Sequence, residues 1–163
     1  MKSNKILIVG GGSAGWMAAA TLINQFPNKD ITVIESPNIP TVGVGESTLG
    51  KINDWLELLG IKDKDFMPYT DASYKLSIRF EDFYKKNDGG FHYPFGDVIG
   101  DKELWFLKKK LNPKTPITDY ANQHYYNMAY VNQNKIDVND VTSAYHFDAT
   151  KFGLWLRDHY CKP

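Results

Sequence analysis

The first part of the chain combines two hydrophobic patterns. Lys5–Val9 is an unbroken aliphatic and β-branched run, which predicts a strand covered on both faces in a parallel sheet. Residues 16–26 then predict a helix that ends before Pro27, and residues 31–35 predict a second buried strand. We expect these three segments to form one right-handed β-α-β unit.

The middle of the chain changes pattern twice. Residues 36–48 contain two prolines and two glycines and predict a loop, whereas an apolar stripe over residues 48–59 predicts a helix that Gly60 ends. Residues 73–80 alternate strictly, which predicts a strand with one apolar and one polar face. The apolar face consists of Tyr74, Leu76, Ile78 and Phe80, and the polar face of Ser73, Lys75, Ser77 and Arg79.

The second half of the chain is aromatic and mostly helical. The segment FHYPFG at residues 91–96 predicts an aromatic loop, and residues 101–111 and 118–132 predict helices. Residues 143–160 predict a strand end and a final helix capped by Asp148. These elements together predict an α/β fold.

Composition excludes several classes of function. The 163 residues carry 19 basic and 19 acidic side chains, so the zero net charge does not favour nucleic-acid or membrane partners. The single cysteine, Cys161, excludes an intramolecular disulfide and indicates a reducing compartment. The chain has no signal peptide or membrane-length apolar run, and its four histidines lack metal-ligand spacing. We therefore expect a cytoplasmic protein without a metal site.

The break between the first predicted strand and helix has the spacing G-x-G-x-x-G. Gly10 makes the tight turn, Gly12 lets a pyrophosphate approach the backbone, and Gly15 lets helix and strand pack closely. Ser13 and Ala14 belong to the same turn, where free amide groups and the positive end of the helix dipole face the phosphates. The segment predicts a dinucleotide site, with a turn that merely eases packing as the alternative.

An acidic residue ends the second predicted strand. Glu35 stands twenty positions after Gly15, where a carboxylate binds the hydroxyls of a ribose. An acid at this place argues against a cofactor with a 2′-phosphate. It does not distinguish FAD from NAD.

Several other candidate residues have a structural alternative. On the alternating pattern alone, Lys75 belongs to a solvated strand face. Tyr93 and Phe95 fit a core cluster beneath a loop as well as a ligand site. Glu46 fits a cap for the following helix. The residues alone leave these alternatives open.

Four stretches share the order and spacing of one protein family over nearly the whole chain. They are GGGSAGWMAA at 10–19, IPTVGVGEST at 39–48, SYKLSIRF at 73–80 and YHFDA at 145–149. The most specific features are the tryptophan after the third glycine, the G-V-G-E loop and the lysine on its alternating strand. Together they resemble the flavin-dependent tryptophan halogenases.

This resemblance implies a Rossmann-like FAD-binding domain with an inserted, mainly helical substrate region. The implied divisions are a FAD-binding unit at residues 1–80, substrate loops and helices at 81–142, and a return to the FAD domain at 143–163. FAD, used as FADH2, would lie on the glycine turn beneath a strap loop at 41–48. The residues near the flavin would include Ser36, Ile39, Gly45, Glu46 and Ser47.

The resemblance also implies the chemistry. In the family, reduced flavin and O2 oxidise a halide to hypohalous acid, which travels through a tunnel to a lysine beside the aromatic substrate. By position this catalytic lysine is Lys75, and Tyr93 and Phe95 would contact tryptophan or another indole or aromatic substrate. A neutral Lys75 would form a chloramine, which requires a pKa lowered by burial or by a cation such as Arg79, whereas a protonated Lys75 would donate a hydrogen bond.

The resemblance also implies partners, and it bears on how much of the family's sequence this chain contains. A separate flavin reductase would supply FADH2, and a homodimer stays open as the assembly. The family's W-x-W-x-I-P motif and its later glutamate are absent, since tryptophan occurs only at 16, 55, 105 and 155. We therefore expect the N-terminal portion of a halogenase. The alternatives are a flavin monooxygenase or oxidoreductase of the same fold, and a non-catalytic FAD-binding fragment.

Overall fold

The structure is a computed structural model that describes residues 4–39, 45–137 and 142–162. The chain forms two units. Met1–Ser73 and Tyr145–Pro163 build the first unit, and Tyr74–Ala144 build the second. The chain thus leaves the first unit once and returns to it.

The first unit begins with the predicted β-α-β arrangement. Strand β1 (Lys5–Val9) leads into helix α1 (Ser13–Gln25), and strand β2 (Asp30–Ile34) pairs with β1 in parallel. The prediction of two parallel strands joined by a helix is confirmed. Helix α1 begins earlier than predicted, because the small residues at its start adopt helical backbone without contributing an apolar pattern.

The prediction that β1 is covered on both faces is wrong for the described residues. Leu7 and Val9 are 58% and 79% exposed, and Ile34 of β2 is also exposed. The alternate residues of both strands, on the side where α1 packs, are partly buried. A continuous apolar run therefore does not distinguish a strand covered by one layer from a strand covered by two.

Two short helices follow in the first unit. Helix α2 (Ile52–Leu59) ends at Gly60, whose φ of +70° forms the predicted glycine stop. Helix α3 (Asp63–Phe66) continues into a 3₁₀ turn at Met67–Tyr69.

The second unit contains an antiparallel hairpin. Strand β4 (Ser73–Lys75) and strand β5 (Ser77–Glu81) are separated at Leu76, so the predicted continuous strand is interrupted. Strand β6 (Gly90–Pro94) pairs with β5, with Arg79 opposite His92. The prediction of a loop at 91–96 is wrong up to Pro94, because these residues form strand β6. The proline and aromatic residues did not indicate a strand, since its backbone hydrogen bonds are made with β5, a separate segment of the chain.

Helices complete the second unit. Helix α4 (Lys102–Leu111) is capped by Asp101, whose carboxylate accepts hydrogen bonds from the backbone N–H groups of Glu103 and Leu104. The predicted single helix at 118–132 is instead two helices, α5 (Thr118–His124) and α6 (Tyr126–Gln133). Tyr125 separates them, since its extended backbone (φ −139°, ψ 123°) cannot continue a helix.

The chain returns to the first unit through strand β7 (Ala144–Asp148). Strand β3 (Gly45–Ser47) pairs with β7 in antiparallel fashion, with Glu46 opposite Phe147. The loop prediction for 36–48 is therefore wrong at Gly45–Ser47, and residues 40–44 lie outside the described part of the chain.

Asp148 caps helix α7 (Ala149–Trp155) as predicted, accepting a hydrogen bond from the Lys151 N–H at 2.9 Å. A π-helical segment, Leu156–Cys161, follows α7.

Phe66 lies at the centre of an aromatic cluster in the first unit. Its side chain is fully buried and contacts the rings of Tyr145 and Phe152 edge to face, with centroids 5.3 Å and 5.5 Å away. Edge-to-face pairs add to the stabilisation from apolar burial. The cluster joins α3 to β7 and α7.

We expect Phe66→Ala to lower the free energy of unfolding by about 3–5 kcal/mol, because it leaves a cavity in this cluster. Urea denaturation followed by circular dichroism measures the change. Phe83→Ala is the matched control, since Phe83 is 70% exposed and its removal leaves no buried cavity. Equal losses for the two variants would contradict the assignment of Phe66 to the core.

Candidate functional site

The glycine turn between β1 and α1 requires glycine at two places. Gly10 has a φ of +121°, a conformation that residues with a Cβ rarely adopt. A Cβ on Gly15 would lie 1.9 Å from the Gly10 carbonyl oxygen, so only hydrogen fits there. The first turn of α1 therefore packs directly against the end of β1.

This turn presents backbone amides to a cavity of about 800 Å³. Ser13 and Ala14 are the first residues of α1, and N–H groups in a first helical turn have no acceptor inside the helix. The Ser13 hydroxyl donates a hydrogen bond to the Ala149 carbonyl oxygen at 2.8 Å. The hydroxyl hydrogen of Ser13 is therefore already used inside the protein. The helix dipole makes this end attractive to an anion.

Most of the predicted cofactor residues meet at this cavity. Those that line it are Gly10, Gly12, Ser13, Ala14, Glu35, Ser36, Ile39 and Glu46. Gly15 lies behind the turn, whereas Gly45 and Ser47 pair with Asp148 and His146 in the β3–β7 ladder. The alternative that Glu46 caps the next helix is wrong, because α2 begins only at Ile52.

Glu35 lies directly over the glycine turn. A Cβ on Gly11 would be 2.0 Å from the Glu35 Oε2 atom. The Oε1 atom lies 3.6 Å from Arg157 Nη1, while Arg157 Nε and Nη2 donate hydrogen bonds to Asp158 at 2.6 Å and 2.8 Å. The sequence-based prediction missed Arg157, because no local pattern connects the last helical segment with the end of β2.

Lys75 is buried in the second unit, with 7% of its surface exposed. Its Nζ atom lies 5.2 Å from the centre of the Phe95 ring, within the range of a cation–π contact. Burial lowers the pKa of Lys75 below its ordinary value. The solvated strand face predicted from alternation alone is wrong at Lys75, although Arg79 on the same predicted face is exposed.

The structure separates the two predicted substrate residues by exposure. Phe95 is 8% exposed and lies beside Lys75, whereas Tyr93 is 60% exposed, which does not fit a buried core cluster.

The hairpin of β5 and β6 also contains a serine–histidine pair that the sequence-based prediction missed. Ser77 Oγ and His92 Nδ1 form a hydrogen bond of 2.8 Å, and burial together with the charge of Arg79 lowers the pKa of His92.

Residues 4–39, 45–137 and 142–162 contain neither a membrane-spanning helix nor a cluster of metal ligands. None of their helices is both long and apolar enough to cross a membrane. Within the same ranges, no group of three or more His, Cys, Asp or Glu residues could hold a metal ion.

These features define a dinucleotide-binding β-α-β unit joined to a unit with a buried lysine. The family model described as Tryptophan halogenase matches residues 5–161. Tryptophan 7-halogenase RebH from Lentzea aerocolonigenes is 34% identical over 96% of this chain and 34% of its own length. The chain belongs to the tryptophan halogenase family.

Solved structures agree with this membership. The structure of tryptophan 6-halogenase SttH from Streptomyces toxytricini superposes with a TM-score of 0.79 at 28% identity, over 99% of this chain and 36% of that one. A flavin-dependent halogenase from Xanthomonas campestris also gives a TM-score of 0.79, at 30% identity, over 94% of this chain and 32% of that one. The chain therefore spans about a third of the length of these relatives.

The burial of Lys75 predicts an amine that loses its proton at unusually low pH. In the protein with ¹³C-methylated lysines, we expect the Lys75 resonance to titrate at lower pH than that of Lys51, whose pKa is raised by its hydrogen bond to Asp54. A pH titration followed by NMR measures both groups in one sample. Titration of Lys75 at or above the pH of Lys51 would contradict the buried placement.

Proposed function

We propose that this chain is the FAD-binding and lysine-bearing portion of a FADH2-dependent halogenase that acts on tryptophan or another indole or aromatic compound. The observation that carries this proposal is the buried Lys75, at the position that the family resemblance assigns to the catalytic lysine. Membership of the tryptophan halogenase family and the cavity at the glycine turn support it independently.

The residues at the glycine turn fit the diphosphate and ribose of FAD. The amides of Ser13 and Ala14 would hold the pyrophosphate, and Glu35 would accept hydrogen bonds from ribose hydroxyls. Ile39 and Glu46 on the cavity wall would contact the flavin side of the cofactor. When bound, FADH2 would supply two electrons to O2 and the halide would supply the other two, so that the oxygen atoms end in water and hypohalous acid.

Lys75 would keep the active halogen from reacting unselectively. A neutral amine would displace water from hypohalous acid, so that an N–halogen bond forms while the O–halogen bond breaks. A protonated amine would instead donate a hydrogen bond to the acid and make its halogen more electrophilic. Burial of Lys75 favours the neutral form, whereas the ring face of Phe95 favours the cation.

Phe95 would hold the substrate ring, and Tyr93 would contact it from a more exposed position. An aromatic ring binds an indole by stacking or by edge-to-face contact with few polar interactions, so the choice of ring position would follow from geometry. The proposed partners are the aromatic substrate, halide, O2 and a separate flavin reductase that supplies FADH2.

We expect Gly15→Ala to weaken FAD binding at least tenfold, which corresponds to about 1.4 kcal/mol. The added methyl group would overlap the Gly10 carbonyl oxygen and force the turn open. Quenching of flavin fluorescence during titration measures the affinity. Gly89→Ala is the control, because it strains a glycine turn (φ +81°) in the other unit, where an added Cβ would meet nothing within 4 Å. Unchanged affinity in Gly15→Ala would place the cofactor elsewhere.

Halogenation is tested directly with FAD, a flavin reductase, NADH, bromide and tryptophan or indole, followed by mass spectrometry. We expect a brominated product that requires bromide and disappears in Lys75→Ala, while flavin binding persists. Oxygenated product without bromide would instead indicate a flavin monooxygenase. Flavin uptake without any turnover would indicate a non-catalytic FAD-binding fragment.

Lys75→Arg separates the two roles of the amine in the same assay. Arginine keeps the positive charge and the hydrogen-bond donors but stays protonated, so it does not act as a nucleophile. Loss of bromination in this variant supports the N–halogen route, and retained bromination supports the hydrogen-bonded route.

A further inference from the structure

The interruption between β4 and β5 is held by two hydrogen bonds to one carbonyl. The Leu76 carbonyl oxygen accepts from the Phe95 backbone N–H at 2.9 Å and from Asn127 Nδ2 at 3.3 Å. Leu76 follows Lys75 directly in the chain, and Phe95 is the residue whose ring faces the Lys75 amine. The orientation of this one peptide group therefore affects both members of the Lys75–Phe95 contact.

Asn127 connects this carbonyl to a second chain segment. Its side chain is 3% exposed, and its Nδ2 group also donates to the Thr142 carbonyl oxygen at 2.7 Å. Both hydrogens of the amide are thus used on backbone carbonyls. The chain turns at Gly96, whose φ is +96°. This turn lies beside Asn127, and a Cβ on Gly96 would be 3.9 Å from the Asn127 amide.

We propose that Asn127 is a positioning residue for Lys75, because its amide fixes the Leu76 peptide that turns the lysine inward against Phe95. The inference rests on the proposed role of Lys75 in halogenation. A strand that alternated without interruption would place Lys75 on the polar face together with Arg79, which is exposed. The hydrogen bonds at Leu76 hold the backbone in the interrupted form.

Removal of the amide has a specific structural consequence. In Asn127→Leu, a side chain of similar size has no donors, so the Thr142 carbonyl loses this hydrogen bond and the Leu76 carbonyl keeps only Phe95. The Leu76 peptide is then held by the Phe95 hydrogen bond alone, and we expect this weaker support to let Lys75 turn away from Phe95 into solvent. The hairpin pairing of β5 with β6 does not involve Asn127.

The test follows the Lys75 ε-methylene group by NMR in protein labelled with ¹³C-lysine, with Lys75→Arg used to assign the signal. We expect the Phe95 ring to shift this signal upfield in the unmodified chain, because the Lys75 Nζ atom lies 5.2 Å from the ring centre. We expect Asn127→Leu to lose the upfield shift and to raise the pH at which Lys75 titrates. Asn132→Leu is the matched control, because Asn132 lies on the same helix and donates to Asn122 on the surface.

An Asn127→Leu protein that folds and keeps the upfield shift would overturn the proposal. Should that variant fail to fold, as shown by circular dichroism, Asn127→Ser keeps one donor in a smaller side chain and is judged by the same signal. Bromination measured separately reports on the proposed function. A lost shift in Asn127→Leu together with normal bromination by Lys75→Ala would sustain the positioning of Lys75 and refute its catalytic role.

Discussion

The close approach of Gly15 to the Gly10 carbonyl determines where α1 begins. On one side the helix meets the end of β1, where only a hydrogen atom fits. On the other side a Cβ on Gly153 of α7 would lie 3.2 Å from the Ser13 Cα atom, so the second contact is also tight. The amides of the first turn are therefore aimed at the cavity by packing before any anion binds, which reduces the ordering cost of binding.

The candidate site of the first unit is built from backbone amides, whereas the second unit buries the side chain of Lys75. Burying an amine disfavours its charged form, so a buried lysine on a strand costs stability that an apolar residue would not. Leu76 is the point at which this arrangement departs from regular alternation, since β4 ends before it and β5 begins after it. Burial lowers the pKa of Lys75, and its amine lies beside the ring of Phe95.

The sequence predicted the features that depend on residues close together in the chain. The β-α-β unit, the glycine stop at Gly60 and the cap at Asp148 each follow from a short segment, and the structure contains all of them. The pairing of β3 with β7 joins segments that are distant in the chain, so the local pattern of Gly45–Ser47 indicated only a loop. The Leu76 carbonyl likewise bonds to Phe95 and Asn127, which are distant in the chain, so alternation did not indicate the interruption of the strand beside Lys75.

The charges around the turn bear on the choice of nucleotide. Glu35 lies over Gly11, and Arg157 is shared between Glu35 and Asp158. These three side chains carry one positive and two negative charges, so a 2′-phosphate placed here would meet a net charge of −1. Asp158 accepts hydrogen bonds from Nε and Nη2 of Arg157, and Glu35 lies 3.6 Å from Nη1, so both carboxylates would compete with such a phosphate for the guanidinium. In the proposed complex with FAD, ribose hydroxyls would donate hydrogen bonds to the Glu35 carboxylate, whereas a phosphate in that place would be repelled by it.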